Sequence, residues 1–417
     1  MNNVVVAGLG FITSIGNDKA TVAENLRELR HGIIRYDRFE DFEAPIKLAG
    51  KVRDFNTAST DPEDWTYPER YRLKREQQRS MSPHVLYAHC AMRQAMDDAG
   101  LSAEDISDPR TGLFTASAGS ARHMHYNLDR LIDKGLRRAN PMGIVSSVTG
   151  TLSFNLVALN QIQGSSGGFV SACASSGHAL GYAFDEIVLG RQDRVIVIGA
   201  EDGDFETIMP FGSMRALSTD AEPPGSRPFD KNRNGFVGTG GATCLILESE
   251  TLAKARGAQI YARFAGWGQA SDGYNVAISH PEGDGLARAM HIALKATGTD
   301  VSKIEYINAH ATSTPIGDIS ELRAIKQVFG SGDGPDVSST KALTGHGLSL
   351  ASAMEAGFTI LAMKEGFTPG SAHITELDDE AAGVNVITES LDRAPQVALS
   401  NSSGFGGANV VLVFEQA

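Results

Sequence analysis

Short runs rich in Val, Ile and Phe alternate along this chain with longer amphipathic stretches. The β-rich runs fall at 4–8, 111–116, 194–198, 242–248, 261–266, 306–309, 396–400 and 410–414. Each is bounded by small or turn-forming residues, which predicts a strand. Between them, segments 83–99, 285–296 and 319–328 space their apolar residues at three and four, which predicts helices. Runs this apolar suit strands buried on both faces, so the pattern predicts an α/β fold. A hairpin-like pair of strands ends near Glu248, and a charged helical link follows at 249–258. The lobes are therefore expected at 1–254 and 255–417. Gly8-Leu9-Gly10 and Gly266-Trp267-Gly268 each follow a strand that opens a lobe, a thin sign of an internal twofold repeat. Gly8-Leu9-Gly10-Phe11-Ile12-Thr13 also begins like a dinucleotide-binding fingerprint. Thr13 stands where the third glycine is required, so a tight turn into a helix is the expectation there.

Composition narrows the function classes. The chain carries 37 basic against 50 acidic residues, a formal charge of −13, which disfavours a nucleic-acid-binding surface over the whole molecule. No apolar run is long enough to span a membrane. The N-terminus has neither a basic region nor a long apolar core, so no signal peptide is expected. Three scattered cysteines (Cys90, Cys173 and Cys244) suit neither a disulfide framework nor a zinc site, and point to a reducing cytoplasm.

One of those cysteines has an unusual setting. Phe169-Val170 runs into Ser171-Ala172-Cys173-Ala174-Ser175-Ser176-Gly177-His178, and a helix-compatible stretch follows. This order predicts a strand, a sharp turn with Cys173 at its apex and a helix starting beneath the sulfur. Free N–H groups at a helix N-terminus favour an anion, so the thiol is expected to ionise readily. Small neighbours leave room for a substrate, which makes Cys173 a candidate covalent nucleophile. Two histidines stand in loops of small and hydroxyl residues. His310 lies in Asn308-Ala309-His310-Ala311-Thr312-Ser313-Thr314-Pro315-Ile316-Gly317-Asp318, and His346 in Lys341-Ala342-Leu343-Thr344-Gly345-His346. Such loops carry ligand sites on a rigid scaffold. A glycine-rich loop, Gly404 to Asn409, lets backbone approach a substrate. Together these segments supply a nucleophile, two imidazoles, a cation (Lys341) and two carboxylates (Asp318 and Glu321).

These motifs, in this order and at about this spacing, resemble the elongating, Cys-His-His type of β-ketoacyl-acyl-carrier-protein synthase, over essentially the whole chain. The resemblance implies a thiolase-like fold: two similar α/β lobes, a five-layer α-β-α-β-α core and a homodimer, with a heterodimer of related subunits as a variant. It implies that Cys173 accepts an acyl chain, and that the N–H groups of Cys173 and Phe405 form an oxyanion hole. His310 and His346 are implied to hold the malonyl thioester during its decarboxylation. Lys341 is implied to keep His346 neutral, and Glu321 to pair with this network. Thr312 and Thr314 resemble hydroxyls that bind the phosphopantetheine arm. Phe211 and Phe405 resemble gating aromatics. No catalytic cofactor is implied, because the partner acyl carrier protein brings the phosphopantetheine.

The chain departs from the family pattern in several places. Ala311 stands where glycine is usual, Ser403 where phenylalanine is usual, and Ala408 where threonine is usual. The run after His346 reads Gly347-Leu348-Ser349-Leu350-Ala351-Ser352 in place of Ser-Leu-Gly-Ala-Ala-Gly. Ser403 is expected to loosen the gate beside Phe405, and Leu350 to fill space. A ketosynthase of a secondary polyketide or polyene pathway is therefore an alternative to fatty acid elongation. Thiolases need a second cysteine near the C-terminus, and none follows Cys244. Initiating synthases use Cys-His-Asn, and His346 occupies that asparagine's place. A non-catalytic partner subunit, acting by dimer formation, is a further alternative, disfavoured by the intact Cys173, both histidines and Lys341. A cysteine hydrolase would leave His346 without a role. Carrier proteins present an acidic helix, so docking is expected at the segment from Arg70 to Arg79, with five cations against one acid, through Arg75 and Arg79.

Overall fold

Strands form where the β-rich runs lie, and several extend further than the runs. The structure, a computed structural model, describes residues 2–40 and 42–417. Its strands are β1 Val4–Ile12, β2 Ile33–Arg35, β3 Leu48–Gly50, β4 Thr111–Ala116, β5 Ser166–Phe169, β6 Arg194–Glu201 and β7 Gly238–Thr239, followed by β8 Gly241–Ser249, β9 Ala262–Ser271, β10 Tyr306–Asn308, β11 Asp336–Ser338, β12 Asn385–Val386, β13 Val397–Gly404 and β14 Ala408–Gln416. The expected helices appear as Pro83–Ala99, Asp284–Thr297 and Pro315–Phe329.

The main sheet runs β12-β11-β10-β13-β14-β9-β1-β8-β6-β4-β5. From its centre it reads the same way in both directions. β1-β8-β6-β4-β5 and β9-β14-β13-β10-β11 each have two antiparallel pairings followed by two parallel ones. The two halves meet where Val4, Val5 and Val6 of β1 pair antiparallel with Phe264, Arg263 and Ala262 of β9. The repeat hinted at by the two glycine pairs is therefore a property of the fold.

Helices Pro83–Ala99 and Thr151–Asn160 pack on the outer face of the first half, and Asp284–Thr297 packs on that of the second. Between the halves lie Ser175–Val188 and Ala351–Glu365, which touch strands of both. The result is the five-layer α-β-α-β-α order. Thirteen successive residues of Ala351–Glu365, from Ala351 to Met363, are buried. A helix buried all round has no polar face, so its sequence carries no amphipathic signal.

The expected turn at Gly8 is absent. Gly8 and Gly10 lie inside β1, beneath helix Pro83–Ala99. A β-carbon on them would stand 2.5 Å from the Ala95 carbonyl oxygen and 1.9 Å from that of Ala91. In the second half, Gly268 would meet the Ala289 carbonyl oxygen at 2.3 Å. Glycine is needed at both places because the helix backbone lies almost on the strand, and not for a nucleotide phosphate.

The smaller sheet, β2-β3-β7, braces the loop that carries His346. The backbone N–H of His346 donates to the Val237 carbonyl at 2.7 Å, and that of Thr239 donates to the His346 carbonyl at 3.0 Å.

Candidate active site

The elbow at Cys173 is tied by its own small residues. β5 ends at Phe169 and helix Ser175–Val188 begins two residues after the thiol. Ala172 lies between them with φ +50°, in the left-handed region that side chains avoid. The strain is held by hydrogen bonds: the Ser171 N–H donates to Ser175 Oγ at 2.8 Å, and Ser175 Oγ donates to the Ala172 carbonyl at 2.6 Å. Strained backbone of this kind clusters at functional sites.

Both histidines converge on this thiol. His346 Nε2 lies 2.9 Å from Cys173 Sγ. The rings of His310 and His346 are 5.2 Å apart and nearly perpendicular. Sγ and one nitrogen of each imidazole all fall within 4.8 Å of one another. Phe236 packs edge-on against His346 and so limits its rotation.

Glu321 positions His310 through backbone. Its carboxylate accepts from the His310 N–H at 2.9 Å, the Ala311 N–H at 2.6 Å and Asn401 Nδ2 at 3.1 Å. Lys341 does not pair with Glu321. Its ammonium forms an ion pair with Glu355, and both side chains are buried. Burial pushes the Glu355 carboxyl up to about 7, against the pull of Lys341. Glu355 escaped the sequence reading, although it is the only acid in the apolar run from Leu350 to Met363.

Burial, and then the positive charge of Lys341, hold both imidazoles well below the ordinary histidine range, so both are neutral. The thiol departs from expectation. Burial pushes Cys173 up to about 12, with Lys341 pulling the other way and Glu355 and Glu201 adding to the rise. The resting group is thus a thiol. The helix N-terminus and the His346 contact favour its ionisation when a substrate arrives.

Gly404 packs against the elbow; a β-carbon on it would stand 3.1 Å from the Cys173 backbone nitrogen. Phe405 follows, half exposed, and its ring faces Phe211 at 6.0 Å, with Phe211 in turn against Phe236 at 5.5 Å. Ser403 does not hang free beside this gate. Its hydroxyl bonds to Asn409 Oδ1 at 2.7 Å across the hairpin, and Asn409 Nδ2 donates to Asp272 at 2.8 Å. A phenylalanine could not make that link.

Thr312 and Thr314 share a hydrogen bond of 3.0 Å at the mouth of helix Pro315–Phe329. Asp318 is buried one turn along and pairs with Arg233 at 3.0 Å, while accepting from the Phe229 N–H at 3.0 Å. It anchors the segment around Arg227 to Val237 and does not reach the triad. Ser352, which the sequence marks only as a departure from the family run, links Cys173 to the glycine-rich strand: its Oγ donates to the Cys173 carbonyl at 3.1 Å and lies 2.6 Å from Ser402 Oγ. Arg75 and Arg79 are exposed at the two ends of a short helical turn, and Arg75 pairs with Glu63. Among the described residues, no helix is long and apolar enough to cross a membrane.

The β-ketoacyl synthase N-terminal domain model matches residues 1–253, and the C-terminal domain model matches 261–375. The chain is 38% identical to 3-oxoacyl-[acyl-carrier-protein] synthase 1 of Escherichia coli, covering 100% of this chain and 99% of the relative. It is 36% identical to synthase 2 of Staphylococcus aureus over 99% and 98% of the two chains. A solved β-ketoacyl synthase from Burkholderia phymatum superposes with a TM-score of 0.91 at 32% identity, covering 100% of each chain. A type II polyketide ketosynthase, solved in complex with its acyl-carrier protein, superposes at 0.88 with 28% identity over 100% of each chain.

Proposed function

The chain belongs to the β-ketoacyl synthase family, and from that premise we propose that it catalyses the decarboxylative condensation of an acyl group with malonyl-acyl-carrier protein in fatty acid elongation. One observation carries the reading: a thiol and two neutral imidazoles within 4.8 Å, at the end of a strained elbow. Cys173 Sγ attacks the acyl thioester of the carrier. Its proton passes through His346 Nε2, 2.9 Å away, to the departing carrier thiol. The carbonyl oxygen of the intermediate meets the N–H groups of Cys173 and Phe405.

Malonyl carrier then enters. Neutral His310 and His346 donate to its thioester carbonyl, where negative charge develops as carbon dioxide leaves. The resulting enolate carbon attacks the acyl-Cys173 carbonyl. A carbon–carbon bond forms, Sγ departs as a thiolate that regains a proton from solvent, and a 3-oxoacyl carrier is released. Lys341 keeps the imidazoles uncharged, Glu321 holds the His310 backbone and Asp318 the surrounding loop. Thr312 and Thr314 receive the pantetheine arm, which the carrier brings, so no resident cofactor or metal is required. Phe211, Phe405 and Ser403 line the gate, and Arg75 and Arg79 meet the carrier. We assign the lobes to 1–254 and 255–417, the assembly to a homodimer and the setting to the cytoplasm.

A secondary polyketide or polyene role is the second reading, favoured by Leu350. It is fully buried where a small residue is usual in the family, and its side chain would crowd a β-carbon on Gly347. Incubation with an acyl carrier alone should leave an acyl mass on Cys173, and adding malonyl carrier should then release carbon dioxide. The mass trapped in the host separates the two pathways. Absence of both signals overturns the proposal.

A further inference from the structure

Cys173 Sγ and one nitrogen each of His310 and His346 point into one small space from three separate segments. A thiolate and two imidazoles are a common zinc ligand set, with the fourth position open to water. Tetrahedral zinc at ordinary bond lengths needs ligand atoms about 3.4–3.6 Å apart. Here the Sγ–Nε2 pair stands at 2.9 Å and no pair exceeds 4.8 Å. Shifts of about an ångström, within the reach of side-chain rotation, close the set around one ion. The backbones beneath are fixed, His310 by Glu321 and His346 by Val237 and Thr239.

We infer that these three residues also form a reversible site for a soft divalent cation of the zinc class, which shuts the enzyme by occupying the place of the acyl thioester. The inference rests on their being the condensing centre. On binding, the Cys173 S–H bond breaks, a sulfur–metal bond forms, and the proton goes to solvent. No electron changes hands. Two features keep the binding weak and reversible. Nδ1 of His310 and Nδ1 of His346 are both buried without a partner among the described residues, so neither ligand gains the outer hydrogen bond that strengthens metal–histidine sites. The Lys341 ammonium also repels the ion. Hard cations such as Mg2+, which prefer oxygen ligands, are excluded by the donor set.

The test is a titration of the metal-free, full-length protein with Co2+, whose near-ultraviolet absorption reports a thiolate bond. One Co2+ per chain is expected, displaced by Zn2+ and absent after alkylation of Cys173. Cys173→Ala should abolish the band, and His310→Ala should weaken binding by about tenfold or more. Melting curves, with Cys173→Ser as a second variant, show that folding is retained. A band of full strength in Cys173→Ala, or none in the wild type at millimolar Co2+, overturns the inference. Condensation measured with chelator present keeps the two readings apart. Condensation without a cobalt band sinks only the metal site. A cobalt band without acylation of Cys173 sinks the proposed function and leaves the metal site standing.

Discussion

The two halves of the main sheet share one strand order, yet they end in different chemistry. After β4 the chain continues with Ser117 and Ala118; after β10, in the equivalent place, comes His310. After β5 comes Cys173; after β11 come Lys341 and His346. β6 ends on Glu201, with Asp202 next; β13 ends on Gly404, with Phe405 next. On the proposed mechanism the first half thus supplies a nucleophile on a strained elbow. The second supplies the donors, the cation and the glycine-rich strand that close over it. The repeat decides where six strand ends meet. Only the residues placed at those ends decide that one side is attacked and the other stabilises charge.

The comparison is broken most completely at the elbow. Cys173→Ala removes the nucleophile and leaves a residue the tight turn accepts. Condensation should fall by about a thousandfold or more, while the melting temperature is retained. Wild-type condensation by this variant would end the covalent reading.

The paired histidines sharpen the contrast within the second half. Each donor to the developing enolate is worth about 2–4 kcal/mol, so His310→Ala and His346→Ala should each slow malonyl decarboxylation about a hundredfold. They should differ in the first step. His346 touches Sγ and His310 does not reach it by a hydrogen bond, so His346→Ala should also slow acylation of Cys173, and His310→Ala should do so much less. Equal loss of acylation in both would show that the two imidazoles act alike on the thiol.

The repeat itself is tested at its glycines. Gly10→Ala and Gly268→Ala push a β-carbon into helix backbone at 1.9 and 2.3 Å. Each should cost about 1–3 kcal/mol, read from urea unfolding. A large loss at one and none at the other would mean the halves are packed by different rules.

The smallest effect concerns the exposed cations of the first half. Arg75→Glu with Arg79→Glu should raise KM for carrier-bound acyl groups severalfold and leave a small pantetheine thioester unaffected. The difference should shrink with salt, since exposed charges are screened over about 10 Å at 0.1 M. Equal loss on both substrates would make the patch structural.

Much of this could be read from the chain, and the unread parts have physical causes. The strands predicted at 111–116 and 306–309 and the helix at 83–99 are found within a residue, because their apolar spacing is regular and their ends carry turn residues. β11 and β12 hold one apolar residue each, Val337 and Val386, so no apolar run marked them. The central helix Ala351–Glu365 hid because it has no wet face. Cys173, His310 and His346, which the structure brings together, were legible as motifs. Their partners were not, since a pairing such as Lys341 with Glu355, or Ser352 with the Cys173 carbonyl, exists only once the halves face each other. The thiol's resting state was misjudged for a related reason: the helix end is visible in sequence, whereas burial, which dominates, is not.

The two central helices, each touching strands of both halves, have one more consequence. A sheet face stripped of Ser175–Val188 or Ala351–Glu365 would lie open to water across its apolar width. Neither lobe can therefore keep a dry interior alone, even though each has a full set of strands. The repeated unit in this chain is thus not a unit of folding. The molecule should melt in one cooperative step, and cutting the link between β8 and β9 should yield fragments that fold only in each other's presence.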